Sequence, residues 1–189
     1  MPRICTFTME SISPYSQSKY HRAPELPKES KDSYEERTWR EKCTVDENDE
    51  IIIPPMAIKK AIETAAAFLR MKVPGAGSTL YTKYFLGGIL VTEGPKVGIK
   101  KQDVEGEWFF LDARGKKGGG SRVARCFPVI RKYKVQVEAF ILNDQIPNDI
   151  FEKTLIESGN FIGIGRFRPE KGGFYGRYRI VGKPAWTET

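Results

Sequence analysis

Ile53-Pro54-Pro55-Met56-Ala57-Ile58-Lys59-Lys60-Ala61-Ile62 decides the fold of this chain, because an extended apolar run breaks there into a helix. Glu50-Ile51-Ile52-Ile53 reads as a short buried strand, stopped by Pro54-Pro55. Proline is tolerated in a first helical turn, where its missing N–H would have no partner anyway. Beyond it Ile58, Ile62, Ala65 and Leu69 form an apolar stripe at helical spacing, with Lys59, Lys60, Glu63 and Arg70 off the stripe. This is the principal helix of the chain.

Upstream, residues 3–9 read as a first strand with Cys5, Phe7 and Met9 on one face. Residues 11–31 form a long excursion rich in Ser, Tyr and Pro. Ser33-Tyr34-Glu35-Glu36 has capping-box spacing and opens a short charged helix to Lys42, with Trp39 as its anchor. Downstream, residues 75–83 read as a loop. Strand-like runs follow at 89–92, 97–99, 107–111, 124–130 and 134–142. Asn148 is placed to cap a helix over 149–158, with Gly159 as its stop. Residues 162–164 and 177–181 read as strands flanking a glycine- and arginine-rich run. The order, strand, helix, strands, helix, strand, predicts an α+β, ferredoxin-like antiparallel sheet with helices on one face and long loop insertions. Residues 1–189 are read as a single domain, with excursions around 11–31, 72–84 and 112–122.

Charge is distributed unevenly. The chain of 189 residues carries 31 basic and 24 acidic residues, a net of +7. Residues 113–134 hold eight basic residues and no acid, and residues 165–183 hold six against Glu170 alone. That leaves 17 basic and 23 acidic residues elsewhere, a net of −6, so all the excess positive charge lies in two segments. Such clustering is the electrostatic footprint of a groove for a phosphate backbone. The second segment also interleaves arginines, which match phosphate oxygens, with aromatic rings, which stack on unpaired bases. The candidate nucleic-acid-binding residues are Arg114, Lys116, Lys117, Arg122 and Arg125 on one wall. On the other they are Arg166, Phe167, Arg168, Lys171, Phe174, Tyr175, Arg177 and Arg179. Alternation along a strand would turn Tyr178 away from Arg177 and Arg179, into the core.

Three features together resemble the RAMP superfamily of CRISPR-associated RNA-binding proteins: the turn Ser11-Ile12-Ser13-Pro14-Tyr15-Ser16 after the first strand, the strand-to-helix break at Ile53–Ile62, and the Gly/Arg-rich loop between the last helix and last strand. The resemblance implies a ferredoxin-like (RNA-recognition-motif-like) fold with a glycine-rich loop, here Gly163, Gly165, Gly172, Gly173 and Gly176. That superfamily includes subunits that polymerise along guide RNA and endoribonucleases that process it. It implies self-association along a strand and a CRISPR-type complex as a partner. The chain is shorter than a full backbone subunit, and its run is longer and more aromatic than the usual loop. It therefore reads as a short stand-alone member, encoded by a virus or mobile element.

Other chemistries are poorly supplied. Cys5, Cys43 and Cys126 are few and far apart, which excludes a disulfide framework and a close-spaced zinc motif. The acidic turn Asp46-Glu47-Asn48-Asp49-Glu50 lacks EF-hand spacing, and Gly115–Ser121 lacks the Gly-Lys-[Ser/Thr] of a P-loop. No cofactor or metal is expected. The absence of a basic leader with an apolar core, or of any membrane-length apolar run, points to a cytoplasmic protein without a membrane partner. The expected function is non-enzymatic, largely sequence-independent binding of single-stranded RNA or DNA, RNA preferred. One alternative is a protein-interaction module that inhibits or mimics a subunit of a CRISPR-type complex. A second is a metal-independent endoribonuclease using His21, the only histidine, in Lys19-Tyr20-His21-Arg22.

Overall fold

A computed structural model describes residues 2–112 and 121–188. In chain order its elements are β1 (Arg3–Ser11), β2 (Tyr15–Ser16), α1 (Lys31–Thr38), β3 (Glu50–Ile52), α2 (Pro55–Leu69), α3 (Thr82–Gly88), β4 (Ile89–Leu90), β5 (Lys96–Lys100), β6 (Glu105–Asp112), β7 (Arg122–Ile130), β8 (Lys134–Ile141), α4 (Asn148–Glu157) and β9 (Tyr178–Glu188). The main sheet has four antiparallel strands in the order β4-β8-β1-β9. Followed along the chain, its strands and the helices α2 and α4 between them run β-α-β-β-α-β, the ferredoxin-like arrangement. The insertions build two smaller antiparallel sheets, β2-β7-β6 and β3-β5.

Alternation explains the two central strands of the main sheet. Cys5, Phe7 and Met9 of β1 lie opposite Ala139, Val137 and Val135 of β8, and all six are buried. Ile58, Ile62 and Ala65 of α2 and Phe151 and Leu155 of α4 join them in one core. Each large apolar side chain buried this way contributes about 1.5–3 kcal/mol.

Several boundaries differ from the sequence reading. Ser30, not Ser33, caps α1: its Oγ accepts the Ser33 N–H at 3.1 Å. The helix then tightens into a 3-10 turn, Trp39–Lys42, with Trp39 buried. Tyr15 and Ser16 pair with Ile130 and Val129 of β7, so the first excursion contains a strand. Thr82 to Tyr84, read as loop, open α3, which Phe85 pins into the core. Asn148 lies inside α4, whose N-cap is Pro147. Gly159 does not stop that helix, which widens into a π turn, Ser158–Ile162. Nor do residues 162–164 form a strand: Gly163 takes φ +71° and turns the chain away.

Candidate nucleic-acid interface

Three concavities run into one another across the inserted face. The first, about 470 Å³, lies between the excursion (Ser18, Lys19, Tyr20, His21) and the β6–β7 hairpin (Leu111, Val123, Arg125, Phe127). The second, about 430 Å³, shares Ser18 and Lys19 with the first and adds Thr44, Ala57, Arg166 and Arg168. The third, about 200 Å³, shares Ala57, Gly165 and Arg168 with the second and continues along α2 past Lys60 and Thr64. Together they make one trough from the hairpin to α2.

Arg166 stands at the waist of this trough. Its guanidinium carbon lies 3.2 Å from the ring centre of Phe127, 3.7 Å from Phe167 and 5.1 Å from Phe109. Aromatic faces attract a cation, by up to about 2 kcal/mol when it is desolvated. No carboxylate pairs with Arg166 among the described residues, and its buried Nη1 has no hydrogen-bond partner. Burial pulls its pKa down to about 10, so the group remains charged at neutral pH. The rings continue as a strip: Phe109 meets Phe127 at 6.1 Å and Phe167 at 5.6 Å, Phe167 meets Tyr175 at 6.1 Å, and Tyr175 meets Phe174 at 6.0 Å. Tyr175 donates to Glu107 Oε2 at 2.8 Å, and Phe174 is 65% exposed at the end of the strip.

The glycine-rich loop is folded tightly on the protein's own backbone. A Cβ at Gly165 would come within 2.4 Å of Ser16 O, and one at Gly176 within 1.9 Å of Ile164 O. The Arg166 N–H bonds Ser16 O at 2.9 Å, and the Gly176 N–H bonds Pro14 O at 2.7 Å. The close approach therefore docks the loop on the turn after β1 and so aims Arg166 into its cage.

The other wall rests on a buried ion pair. Glu35 accepts from the Cys126 N–H at 2.8 Å and from Arg125 at 3.0 Å, and pairs with Lys42, which donates to Cys126 O at 2.7 Å. Burial alone would raise the Glu35 carboxyl. The hydrogen bonds from Lys42 and Cys126, with the Lys42 charge, outweigh it and hold the group below its ordinary value.

The structure separates the sequence-predicted residues. Arg125, Arg166 and Arg168 line the trough, and Phe167, Tyr175 and Phe174 form the strip beside it. Arg168 is paired with Glu170 at 2.7 Å, and Lys171 with Glu170 at 3.2 Å. Arg177 and Arg179 are outside the trough lining: Arg177 donates to Asn160 O at 2.6 Å, and Arg179 to Glu10 at 2.7 Å. Tyr178 is fully buried, its hydroxyl 2.5 Å from Ser158 Oγ. Arg122 is exposed at the start of β7, and Arg114, Lys116 and Lys117 lie outside the described residues. Sequence reasoning missed Lys19, Lys60, Phe109 and Phe127. Lys19 sits in a basic, aromatic stretch that signals it, whereas nothing local tells which face of β6 and β7 meets the loop. His21 also lines the first concavity, stacked on Tyr34 at 6.2 Å. Among the described residues no cluster of His, Cys, Asp or Glu is placed to hold a metal ion, and no helix is long and apolar enough to cross a membrane.

No protein-family model matches the chain, and no curated protein is significantly similar to it in sequence. Among solved structures it is similar to a chain of the Type III-B Cmr-beta bound to cognate target RNA, with TM-score 0.54 and 13% identity over 98% of this chain and 60% of that one. It is also similar to Cmr6 from Pyrococcus furiosus, with TM-score 0.50 and 13% identity over 96% of this chain and 98% of that one. The chain thus spans 60% of the length of the first. The class is α+β and ferredoxin-like. Within it, the chain shares its fold with the two Cmr chains just named.

Proposed function

We propose that the trough binds single-stranded RNA as a non-enzymatic surface, following phosphates and unpaired bases rather than sequence. The observation that carries this reading is Arg166: a charged guanidinium held between aromatic rings at the waist of the trough, among the described residues without a carboxylate and with one buried N–H unmet. A phosphate or base oxygen would meet that N–H with a charge-assisted bond. Lys19 and Lys60 add charge on either side, while Ser18, Thr44 and Thr64 offer hydroxyls of the kind that read a 2′-hydroxyl. The likeness to a Cmr chain solved with target RNA supports RNA over DNA and a CRISPR-type complex as the setting; association of copies along one strand belongs to the same proposal.

Anisotropy titration of labelled oligouridylate and oligothymidylate tests this. The RNA should bind more tightly, and its affinity should fall by ~0.7 log units per log unit of salt for each neutralised phosphate. No binding to either strand at low salt would overturn the proposal. His21 in the first concavity supports a second reading, an endoribonuclease in which its imidazole moves a proton at a 2′-hydroxyl. Equal cleavage of labelled RNA by wild type and His21→Ala, or none by either, eliminates it.

A further inference from the structure

The trough does not end at Thr64. One helical turn further along the same face of α2 stands Phe68. Beside it is Phe161, the residue before Ile162, which lines the last concavity. The two rings lie 5.3 Å apart, tilted by 35°, and are 57% and 50% exposed. Single exposed apolar side chains are common on protein surfaces. Two aromatic rings side by side at the mouth of a cationic trough are a contiguous patch with a direction.

Phe161 is also held firmly. It sits in the π turn Ser158–Ile162, an element that concentrates at functional sites. Before it, Asn160 O accepts from Arg177 Nη1 at 2.6 Å. After it, Ile162 is buried in the core. Ser158 Oγ is bonded to Leu155 O at 2.6 Å and to the Tyr178 hydroxyl at 2.5 Å, and Gly159 lies so flat on Tyr178 that a Cβ would come within 2.1 Å of Tyr178 O. A ring presented on so fixed a frame loses little freedom on binding. Arg177, outside the trough lining, thereby positions the turn that carries Phe161.

We infer that Phe68 and Phe161 form a stacking platform for one unpaired base of the RNA as it leaves the trough over α2. The inference rests on the trough being an RNA path. Within that path it assigns a ligand, a nucleobase, to a surface that carries no charge of its own. A protein partner on the same patch would show no dependence on whether a base is present.

The test uses oligouridylates of about ten nucleotides, a length within the usual single-strand site range, carrying one abasic position walked along the strand. Phe161→Ala should weaken binding of the intact strand about 5- to 150-fold, the loss expected for one stacked base. Phe161→Trp should retain binding, and its indole fluorescence should be quenched by RNA. At one abasic position wild type should lose the same factor, and there Phe161→Ala should show no further loss. Wild-type binding that Phe161→Ala and Phe68→Ala leave unchanged, in variants with an intact thermal transition, would overturn the platform while the trough stands. Equal losses for Phe161→Ala at every abasic position, or a variant that changes only oligomeric state, would also overturn it. Absence of any wild-type binding would remove both readings together.

Discussion

Two cations press on the ring of Phe127, and they are held in opposite ways. Lys42 Nζ lies 4.2 Å from the ring centre and is answered by Glu35 and by Cys126 O. Arg166 lies 3.2 Å from it and, among the described residues, is answered by rings and by no carboxylate. Among the described residues no strand continues β2 along β7 beyond Val129 and Ile130, and Glu35 and Lys42 take the N–H and C=O of Cys126 that such a strand would have paired. The Lys42 ammonium is therefore enclosed, its charge met by a carboxylate and a carbonyl. The Arg166 region is open, its charge stabilised by ring faces but not neutralised. A buried charge that has its counterion belongs to the fold; one without it is available to a ligand.

The comparison can be broken most forcefully at Glu35. Glu35→Gln should cost about 3–5 kcal/mol of stability, the range for removing one partner of a buried pair, read from urea denaturation. The pH dependence follows from the lowered Glu35 value. Its contribution should be full above the ordinary carboxyl value of 4.5 and be lost as pH falls through the depressed value in the folded state. In Glu35→Gln the acid limb of the stability profile should flatten.

Arg166→Met should do the reverse. It keeps an apolar side chain among Phe109, Phe127 and Phe167, so stability should change by less than about 1 kcal/mol, or rise as an unpaired buried charge is removed. RNA affinity should fall by about 1.5–3 kcal/mol, the worth of a hydrogen bond to a charged group, and the salt slope by ~0.7. Arg166→Lys should fall between, retaining charge but losing the planar guanidinium that stacks on the rings. If Arg166→Met instead unfolds as readily as Glu35→Gln, the contrast between the two cations fails.

The smallest effect is expected at Arg179. Its partner is Glu10 on the neighbouring strand, at an exposed site, and such pairs are worth about 0–1 kcal/mol. Arg179→Ala should leave RNA binding unchanged in the same titration. A large loss of affinity there would move the path of the strand away from the trough.

Much of the fold was legible from residue order. The stripe Ile58, Ile62, Ala65 and Leu69 marked α2, the shared face of Cys5, Phe7 and Met9 marked β1, and the strand-like run 134–142 marked β8. The break at Pro54-Pro55 placed the strand-to-helix transition within two residues. Short elements stabilised by distant partners were not legible. Tyr15-Ser16 is a strand only because β7 lies beside it, and Thr82–Gly88 is a helix anchored by Phe85 against Phe151. The Gly163–Arg179 run was visible as a basic aromatic segment, but its arginines looked equivalent.

Hydrophobic periodicity and the clustering of basic residues are properties of neighbours along the chain, so the sequence by itself determined the β-α-β-β-α-β order and where the positive charge is concentrated. Which cations stay free is a different kind of fact. Glu10 reaches Arg179 across 169 residues and Glu35 reaches Arg125 across 90, while no carboxylate reaches Arg166 among the described residues. Only the tertiary structure brings those acids to some arginines and leaves aromatic rings for another, because ion pairing depends on separation in space.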